Sequence, residues 1–517
     1  MSLAALLCIS AFVGFISYYI YNWLYWRRRG IAGPLGYPFI GLSWQMLSHR
    51  YSPYVKLGEW TKKYGKVWGY TEGASKVLVI SDADLVNEVF VKQFDNFYGR
   101  KKDPLITDVD TDPRVHLFHA EGARWKRLRN ISSPTFSNNS LKKLKNTIEE
   151  SAFELLRHFE KNTANGEQID VLLYYQEFTL DVIGRIAMGQ HTTKMFENPL
   201  IESVKGIFGN DRWPIILLAG TFPILAKTLR NILLTFPKFV GGNPIVNIIN
   251  ICTKAVEDRI RQRELDLKNG IENQEPADFV DLFLDARADG DLVLHQNSDF
   301  SLSNVKVNRQ LTKQEIVAQL MVFMVAGFDT TALSLSYTSF LLATHPEIQR
   351  KVQEEMNREC PDPEVTFDQL SKLKYLDCVI RETLRLYPLG ELANARRCIN
   401  STEIGGIPIE RGTEILVDTW TIHHDPNIWG ADADEFKPER WENGDETFPR
   451  GAYIPFGYGP RQCIGMRLAY MEERLLLTHI LRKYSFTTGP KTQNPLKLVG
   501  RATIQPETVF LHLNPLD

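Results

Sequence analysis

The residue with the clearest capacity for chemistry is Cys463, which lies in a glycine-rich segment just before a helical pattern. Its neighbours Gly457, Gly459 and Gly465 allow the backbone to turn tightly and to approach a ligand closely. A helix N-terminus offers unpaired N–H groups and the positive end of the helix dipole, which favour a thiolate over a thiol. One thiolate cannot close a structural zinc site, whereas heme needs only one sulfur ligand because the porphyrin supplies other donors. The segment therefore indicates a heme site, and a buried structural cysteine is the alternative.

A long apolar stretch predicts a helix from about residue 312 to residue 344, with unusual residues at its centre. That centre reads Ala326-Gly327-Phe328-Asp329-Thr330-Thr331. A glycine inside a helix costs about 1 kcal/mol relative to alanine, so Ala326 and Gly327 indicate room for a flat group or a small ligand. The Thr330 hydroxyl can divert a backbone hydrogen bond, and a buried Asp329 would have a raised pKa and could relay protons. A core helix with a packing glycine is the alternative.

Together the two segments resemble the signature motifs of the cytochrome P450 family. All five fixed positions of the family's cysteine motif match, at Phe456, Gly459, Arg461, Cys463 and Gly465. The helix segment is similar to the family's oxygen-binding motif, and this resemblance implies that Thr330 hydrogen-bonds the bound oxygen while Asp329 helps deliver protons. It also implies heme b as the cofactor, with the Cys463 thiolate as axial metal ligand. Further heme contacts are implied for Phe456, Gly457, Ala326 and Gly327.

Two other segments match a buried ionic cluster of the same family. Glu382 and Arg385 lie three residues apart on one face of a predicted helix that Pro388 ends. Such a pair is usually a solvated surface pair, but in the family it joins a downstream arginine behind the heme. Arg440 would complete that structural triad here. Trp441 follows it where the family usually has phenylalanine, a departure that bears only on local packing.

Arginines are also candidates to hold the two heme propionates, because a guanidinium forms bidentate hydrogen bonds with a carboxylate. Trp125 and Arg129 match the family's tryptophan–arginine pair for one propionate, and Arg461 adds a donor from the cysteine segment. Arg396 is a fourth candidate, although its register is ambiguous because Arg397 follows directly. The alternative for each arginine alone is a surface charge.

The N-terminal segment differs from the rest of the 517-residue chain, because residues 2–26 hold no charged residue and no histidine. A helix of that length spans a hydrocarbon core of about 30 Å. Tyrosines and tryptophans crowd its end, and the arginines at 27–29 follow, which is typical of a retained anchor with the body in the cytosol. A cleavable signal peptide is the alternative, but it usually has a basic start and a shorter apolar core.

The composition of the chain limits the class of protein to which it can belong. Charged residues make up 24% and hydrophobic residues 44%, as in a soluble globular body, and the net charge of −2 gives no case for a nucleic-acid partner. The six cysteines have no paired spacing, which argues against a disulfide framework. We predict an anchor at 1–29, a Pro/Gly hinge at 30–41 and one catalytic domain at 42–517. Two short strand patterns within 65–80 predict a hairpin, and strand patterns return at 403–419. Among many helical patterns they predict a mainly α (α+β) domain.

The resemblance supplies the topology: the cytochrome P450 fold, with a long central helix over a thiolate-ligated heme and a small β region. A basic stretch at 124–145 indicates either docking of an acidic electron donor or an ordinary solvated helix face. The apolar stretch at 207–243 indicates either a shallow membrane contact or core. Val325 and Ala326 are candidate substrate contacts. Polar stretches at 269–275 and 288–309 are predicted as surface loops.

The resemblance therefore implies a microsomal monooxygenase of the endoplasmic reticulum membrane, with a likeness to the animal branch that includes the vertebrate family 3 drug-oxidising enzymes. Electrons would come from NADPH through a separate cytochrome P450 reductase, with cytochrome b5 as a second donor, and the substrate would be apolar. Two alternatives remain open: a heme-thiolate isomerase or lyase that needs neither O2 nor reductase, and a non-catalytic membrane heme-binding protein. The intact Asp329–Thr330 pair argues against the isomerase.

Overall fold

The computed structural model describes residues 2–47, 52–106, 108–163, 166–208, 213–235, 244–271, 278–287, 301–302 and 310–516. Its α-helices are α1 Leu3–Trp23, α2 Tyr25–Arg28, α3 Ser43–Met46, α4 Pro53–Tyr64, α5 Ala83–Asn87, α6 Gly122–Ser132, α7 Asn138–Thr163, α8 Val171–Met188, α9 Leu200–Phe208, α10 Trp213–Thr221, α11 Ala226–Thr235, α12 Pro244–Lys268, α13 Phe279–Asp285, α14 Lys313–Thr344, α15 Pro346–Glu359, α16 Phe367–Leu370, α17 Lys374–Leu386, α18 Thr419–His423, α19 Pro426–Trp429 and α20 Met466–Leu481. Helices dominate the described chain, which confirms the predicted fold class.

The strands are β1 Val67–Glu72, β2 Ser75–Ile80, β3 Ile169–Asp170, β4 Ala395–Arg397, β5 Thr402–Ile404, β6 Ile407–Ile409, β7 Glu414–Val417, β8 Tyr484–Thr487, β9 Leu498–Val499, β10 Gln505–Pro506 and β11 Phe510–Pro515. The largest sheet has the order β1-β2-β7-β4, in which β2 and β7 run parallel and the other pairs antiparallel. Small sheets join β3-β11-β8, β5-β6 and β10-β9. The predicted hairpin and the returning strands are therefore confirmed, whereas the polar loops at 269–275 and 288–309 fall largely outside the described residues.

Helix α14 is the centre of the domain. The Thr312 hydroxyl accepts a hydrogen bond from the Glu315 N–H, and the Glu315 carboxylate accepts one from the Thr312 N–H, so a capping box starts the helix where the sequence predicts. Helices α8, α12, α17 and α20 pack around it. Most of its side chains are buried, and many of them belong to the main hydrophobic core. An exposed residue in the middle of this helix is therefore unusual.

Two helices of the described chain are long and apolar enough to cross a membrane. Helix α1 has a mean hydropathy of 2.1 and is almost entirely exposed, so it is a candidate membrane anchor. Helix α14 has a mean hydropathy of 1.7, but two thirds of its most apolar window is buried inside the domain. Burial within the protein accounts for the apolar character of α14. Helix α1 is not buried in this way and is therefore the candidate membrane span of the two.

Hydrogen bonds tie the end of α1 to the body. The Tyr19 hydroxyl donates to the carbonyl of Thr221 at 2.6 Å, and the Trp26 indole donates to the carbonyl of Tyr70 at 2.9 Å. In the segment predicted as a hinge, a Cβ on Gly33 would lie 1.9 Å from the carbonyl oxygen of Gly69. The glycine is therefore required because the hinge packs directly on strand β1.

Candidate active site

The loop before α20 presents Cys463 in a fixed position. The Cys463 N–H donates to the carbonyl of Phe456 at 2.8 Å, which closes the loop. Gly457 and Gly459 have φ angles of 74° and 71°, and a Cβ on Gly459 would lie 2.3 Å from the carbonyl oxygen of Phe90. Backbone conformation therefore disfavours side chains at both positions, and close packing excludes one at Gly459.

The surroundings of Cys463 bear on the protonation of its sulfur. The residue has accessible surface, yet the surrounding protein is dense enough that burial raises the pKa of its thiol. The backbone N–H of Gly465 and the guanidiniums of Arg129 and Arg100 oppose that rise. A metal cation at the sulfur would outweigh the cost of burial, because a coordinating thiol is deprotonated outright. The donors at the start of α20 therefore suit a metal-bound thiolate.

Four arginines lie around this loop, and we call them the arginine cluster: Arg100, Arg129, Arg396 and Arg461. Burial, together with Arg100 and Arg461, holds the pKa of Arg396 well below its usual value. Burial lowers the pKa of Arg100 to about 10 even though the Cys463 sulfur opposes that change. Like charges are thus crowded in a dry site, which is costly unless an anion is bound among them.

The hydrogen-bond partners of the arginine cluster do not include such an anion among the described residues. Among the described residues, all four guanidiniums donate only to backbone carbonyls, such as Arg129 to Gln462 at 2.9 Å and Arg396 to Ala395 at 2.9 Å. The Nε atoms of Arg100, Arg396 and Arg461 are buried without an acceptor. Two carboxylates beside a thiolate-ligated ring would satisfy these donors, so the residues present fit heme.

Each predicted propionate residue has a clear position. The guanidinium of Arg461 lies over the Trp125 ring, with 4.8 Å from its Cζ to the ring centroid. The guanidinium of Arg396 lies 3.9 Å from the centroid of the Phe90 ring, and Arg129 reaches the cysteine loop through Gln462. These residues therefore belong to one region around Cys463.

Sequence reasoning missed Arg100, whose guanidinium donates to the carbonyl of Arg461 at 3.3 Å and to the carbonyl of Ala393. The available signal was the basic run at 100–102, which follows a glycine in an otherwise ordinary loop. Phe118 was missed as well. Its carbonyl accepts a hydrogen bond from Arg461, and its ring lies 4.6 Å from the Cζ of Arg100. No motif marks a phenylalanine in this position.

The centre of α14 breaks the burial pattern of that helix at Ala326, which is exposed although nearby Met324 and Phe328 are buried. Val325 is half-buried. The Thr330 hydroxyl donates to the Ala326 carbonyl at 2.8 Å, as the sequence predicted for a diverted helical bond. Ala326 and Thr330 therefore present one accessible face of α14.

Gly327, unlike Ala326, lies close to a side chain of helix α8. A Cβ there would lie 3.2 Å from the Cδ1 of Ile183 on α8. The close approach of α8 is thus a sufficient physical reason for a glycine at this position, whatever lies on the Ala326 face. Asp329 is also directed to that side: it is buried, and burial raises the pKa of its carboxyl, as predicted.

Glu382, Arg385 and Arg440 form a buried ionic cluster. The Glu382 carboxylate accepts two hydrogen bonds from Arg385, at 2.7 and 2.8 Å, and one from Arg440 at 3.1 Å. Arg385 also donates to the carbonyls of His423 and Ala433, so the cluster joins α17 to α18 and to the loop before Arg440. Because Glu382 and Arg385 are fully buried, this cluster is a structural support and not a solvated pair.

Trp441 is more than a packing substitute. Its indole N–H donates to the Glu382 Oε2 at 3.0 Å, which a phenylalanine could not do. The sequence expectation that this departure concerns only local packing is therefore incomplete: the tryptophan adds a donor to the buried carboxylate.

The basic stretch at 124–145 divides into two groups. Arg124 and Arg127 are buried and form ion pairs with Glu315 at the start of α14, so they contribute no surface charge. Lys142 and Lys143 on α7 are exposed. Only part of the predicted basic surface is therefore available to a partner.

The apolar stretch at 207–243, of which 209–212 and 236–243 lie outside the described residues, reaches the surface next to α1. Residues Pro214–Thr221 and Pro223–Leu233 form a helix pair bent by 117°. At the bend Ile224 is 89% exposed, and the Phe222 ring lies 6.3 Å from that of Phe15 on α1. Exposure at the bend favours the membrane-contact interpretation over the core interpretation.

Comparison with known proteins agrees with this site. The sequence profile described as cytochrome P450 matches residues 31–513. Three Caenorhabditis elegans proteins with provisional cytochrome P450 names are similar over their full lengths: CYP13A10 is 58% identical over 516 residues (99% of this chain and 99% of the relative), CYP13A1 is 59% identical over 508 residues (98% and 97%), and CYP13A4 is 55% identical over 519 residues (100% and 99%). The chain belongs to the cytochrome P450 family, whose members are oxidoreductases with a cysteine-ligated heme.

Proposed function

We propose that the protein is a membrane-anchored heme-thiolate monooxygenase that inserts one atom of O2 into an apolar organic substrate, such as a xenobiotic, a steroid or a fatty acid. One observation carries the proposal: a single cysteine at a helix N-terminus lies among two buried and two half-buried arginines, none of which donates to a carboxylate among the described residues. That arrangement suits a dianionic ring with a thiolate ligand. Membership in the family supports the general class.

The roles of the residues follow from their positions. Heme, when bound, supplies the activation of O2. Cys463 would hold the metal, and the arginine cluster would bind the propionates and thereby orient the ring. Thr330 presents a hydroxyl on the accessible face of α14, where it could donate a hydrogen bond to O2, and the buried Asp329 could hold a proton for delivery. The accessible face at Val325 and Ala326 receives the substrate, and the surrounding apolar core excludes water.

Thr330→Ala tests this assignment, with Thr331→Ala as the matched control, because Thr331 is the neighbouring threonine on the buried side. We expect Thr330→Ala to release more peroxide and less product per NADPH, and Thr331→Ala to behave as the unmodified protein. An unchanged product yield in Thr330→Ala would remove that role from Thr330.

The same assay separates the two alternative functions. Product formation that does not depend on NADPH would identify an isomerase or lyase. Heme binding without turnover of any substrate in a broad apolar panel would identify a carrier. The proposal expects strict dependence on NADPH, on O2 and on a separate reductase.

We also propose that a NADPH–cytochrome P450 reductase docks near the exposed Lys142 and Lys143, and that cytochrome b5 can use the same surface. Opposite charges steer such encounters. The double substitution Lys142→Glu with Lys143→Glu should raise the reductase concentration needed for half-maximal turnover. The same change at the exposed Lys62 and Lys63 on α4 is the control. Equal effects of the two double substitutions would refute this location.

Finally, we propose that α1 anchors the protein in the endoplasmic reticulum membrane as a single span, with the catalytic domain in the cytosol. The length and apolarity of α1 and the arginines that follow it support this orientation. In sealed microsomes the catalytic domain should be digested by added protease without detergent. Protection of the domain until detergent is added would show the opposite orientation.

A further inference from the structure

The buried carboxylate of Asp329 is surrounded by neutral hydrogen-bond donors from two other parts of the fold. The Gln176 side-chain amide on α8 donates to Oδ1 at 3.2 Å. On the other oxygen, Oδ2, the Thr503 hydroxyl donates at 2.8 Å and the Gln505 amide at 2.7 Å. All three are donors, so the arrangement suits the ionised form of a carboxylate that is otherwise deprived of water.

Thr503 and Gln505 belong to the C-terminal hairpin formed by β9 and β10. The Tyr337 hydroxyl of α14 donates to the carbonyl of Ile504 at 3.1 Å, which fixes this hairpin against the central helix. The Gln505 amide also donates to the Thr503 oxygen at 2.8 Å. Because that oxygen already accepts a hydrogen, the hydroxyl proton of Thr503 is directed to Asp329.

The donor inventory distinguishes Thr503 from its neighbours. An amide nitrogen can only donate, so the nitrogens of Gln176 and Gln505 suit the anion but cannot accept a proton from a neutral acid. A hydroxyl can donate to the anion and, after rotation, accept from the neutral acid. Thr503 is therefore the partner that can serve both protonation states of Asp329 without an amide flip.

We propose that Thr503, held by Gln505, is a positioning residue that stabilises ionised Asp329 and reorients when Asp329 takes up a proton. The inference rests on the proposed function, since it concerns the residue that holds the proton for oxygen activation. Thr503 is buried, whereas Gln505, which donates to the same carboxylate oxygen, is partly exposed. The pair thus connects the carboxyl to the protein surface at the hairpin.

Other charged groups near Asp329 are few. Lys205 on α9 lowers the pKa of its carboxyl, after the hydrogen bonds from Thr503, Gln176 and Gln505. Tyr337 is a titratable group of α14 that interacts with Asp329, and burial keeps the pKa of its hydroxyl well above the usual value, so it stays neutral. The partners from α8 and the hairpin are uncharged. The protonation of Asp329 therefore depends on burial and on the three hydrogen bonds.

The test compares Thr503→Val, which is isosteric and lacks the hydroxyl, with Thr503→Ser, which keeps it. Infrared difference spectra of the full-length, heme-loaded protein over a pH series report the carboxyl stretch of Asp329, assigned by its absence in Asp329→Asn. This readout needs neither substrate nor reductase. Thr338→Val is the matched control, because Thr338 is a buried threonine of α14 whose hydroxyl has no hydrogen-bond partner.

Loss of a hydrogen bond to the anion raises the pKa of the acid, so the titration midpoint should move to higher pH in Thr503→Val. We expect about a tenfold lower ratio of anion to neutral acid at a fixed pH, because a hydrogen bond to a charged group is stronger than one to a neutral acid by roughly that factor. Thr503→Ser and Thr338→Val should keep the original midpoint. The fraction of NADPH lost as peroxide should rise in Thr503→Val only, and its pH profile should shift in the same direction.

An unmoved midpoint in Thr503→Val, or a Thr503→Ser that behaves like Thr503→Val, would overturn the proposal while leaving the monooxygenase assignment intact. Conversely, absence of NADPH-dependent product in the unmodified protein would refute the proposed function, although the infrared titration could still show the coupling. If Thr503→Val does not fold, Gln505→Leu at the partly exposed position carries the same expected shift, with the same two outcomes.

Discussion

Substitution of Trp441 by phenylalanine tests whether the tryptophan supports the buried Glu382 through its hydrogen bond. The Glu382 Oε1 accepts from Arg385, Arg440 and the N–H of Lys437. Among the described residues, the Oε2 accepts only from the Arg385 Nε at 2.8 Å and the Trp441 Nε1 at 3.0 Å. Trp441→Phe therefore leaves one lone pair of a buried, ionised oxygen without a donor.

The magnitude follows from that count. A hydrogen bond to a charged group contributes about 1.5–3 kcal/mol, whereas one between neutral groups contributes about 0.5–1.5 kcal/mol. Trp429 is the matched control, since it is equally buried at 3% exposure and its indole donates to the neutral carbonyl of Ile422 at 2.9 Å. Both substitutions remove the same atoms, so the loss of packing cancels in the comparison. Trp441→Phe should destabilise the protein by about 1 kcal/mol more than Trp429→Phe.

Urea unfolding of the heme-loaded protein in detergent, followed by far-ultraviolet circular dichroism and by the heme absorption band, measures both free energies of unfolding. The double substitution of Trp441→Phe with Glu382→Gln would show whether the excess cost depends on the charge. A cost of Trp441→Phe equal to or below that of Trp429→Phe would refute the reasoning, because the charged acceptor would then contribute nothing.

Two further substitutions test local features of the same core. Burial raises the pKa of Glu473 on α20 to about 8 from 4.5, so the folded protein holds a proton that the unfolded chain releases between these values, and stability falls as pH rises through that window. Glu473→Gln should remove this dependence on pH. The thermal stability of the variant relative to the unmodified protein should therefore be higher at about pH 8 than at about pH 5. An equal difference in stability at both pH values would contradict the raised pKa of Glu473. Gly459→Ala should prevent heme loading because its Cβ would meet the Phe90 carbonyl. Gly412→Ala is the control: its φ is 89° but the space around it is open, so it should lower the free energy of unfolding by only about 1 kcal/mol. Normal heme absorption per protein in Gly459→Ala would show that the loop can move.

The parts of the fold that the sequence predicted are those set by local rules. The capping box at Thr312 and Glu315 predicted the start of α14, and two short strand patterns within 65–80 predicted the β1–β2 hairpin. The ionic cluster of Glu382, Arg385 and Arg440 was predicted only because the family motif supplied the partner 58 residues after Glu382. Spacing within the sequence could not have joined those segments.

Other parts depend on contacts between distant segments, and local patterns carry no information on them. Arg100 joins the arginine cluster through the fold of a loop, and Asp329 meets Thr503 across 174 residues. The space around Gly327 is set by Ile183 of another helix. Likewise, the burial of Arg124 and Arg127 depends on Glu315, so a basic stretch was read as surface when only part of it is exposed.

The most direct test of the central claim is the carbon monoxide difference spectrum of the reduced, heme-loaded protein beside those of Cys463→Ala and Cys378→Ala. Cys378 is a buried cysteine of α17 and serves as the matched control. We predict the strongly red-shifted band of a thiolate-ligated heme in the unmodified protein and in Cys378→Ala, and its loss in Cys463→Ala. A band typical of histidine ligation in the unmodified protein, or a red-shifted band that survives in Cys463→Ala, would contradict the assignment of Cys463 as the heme ligand.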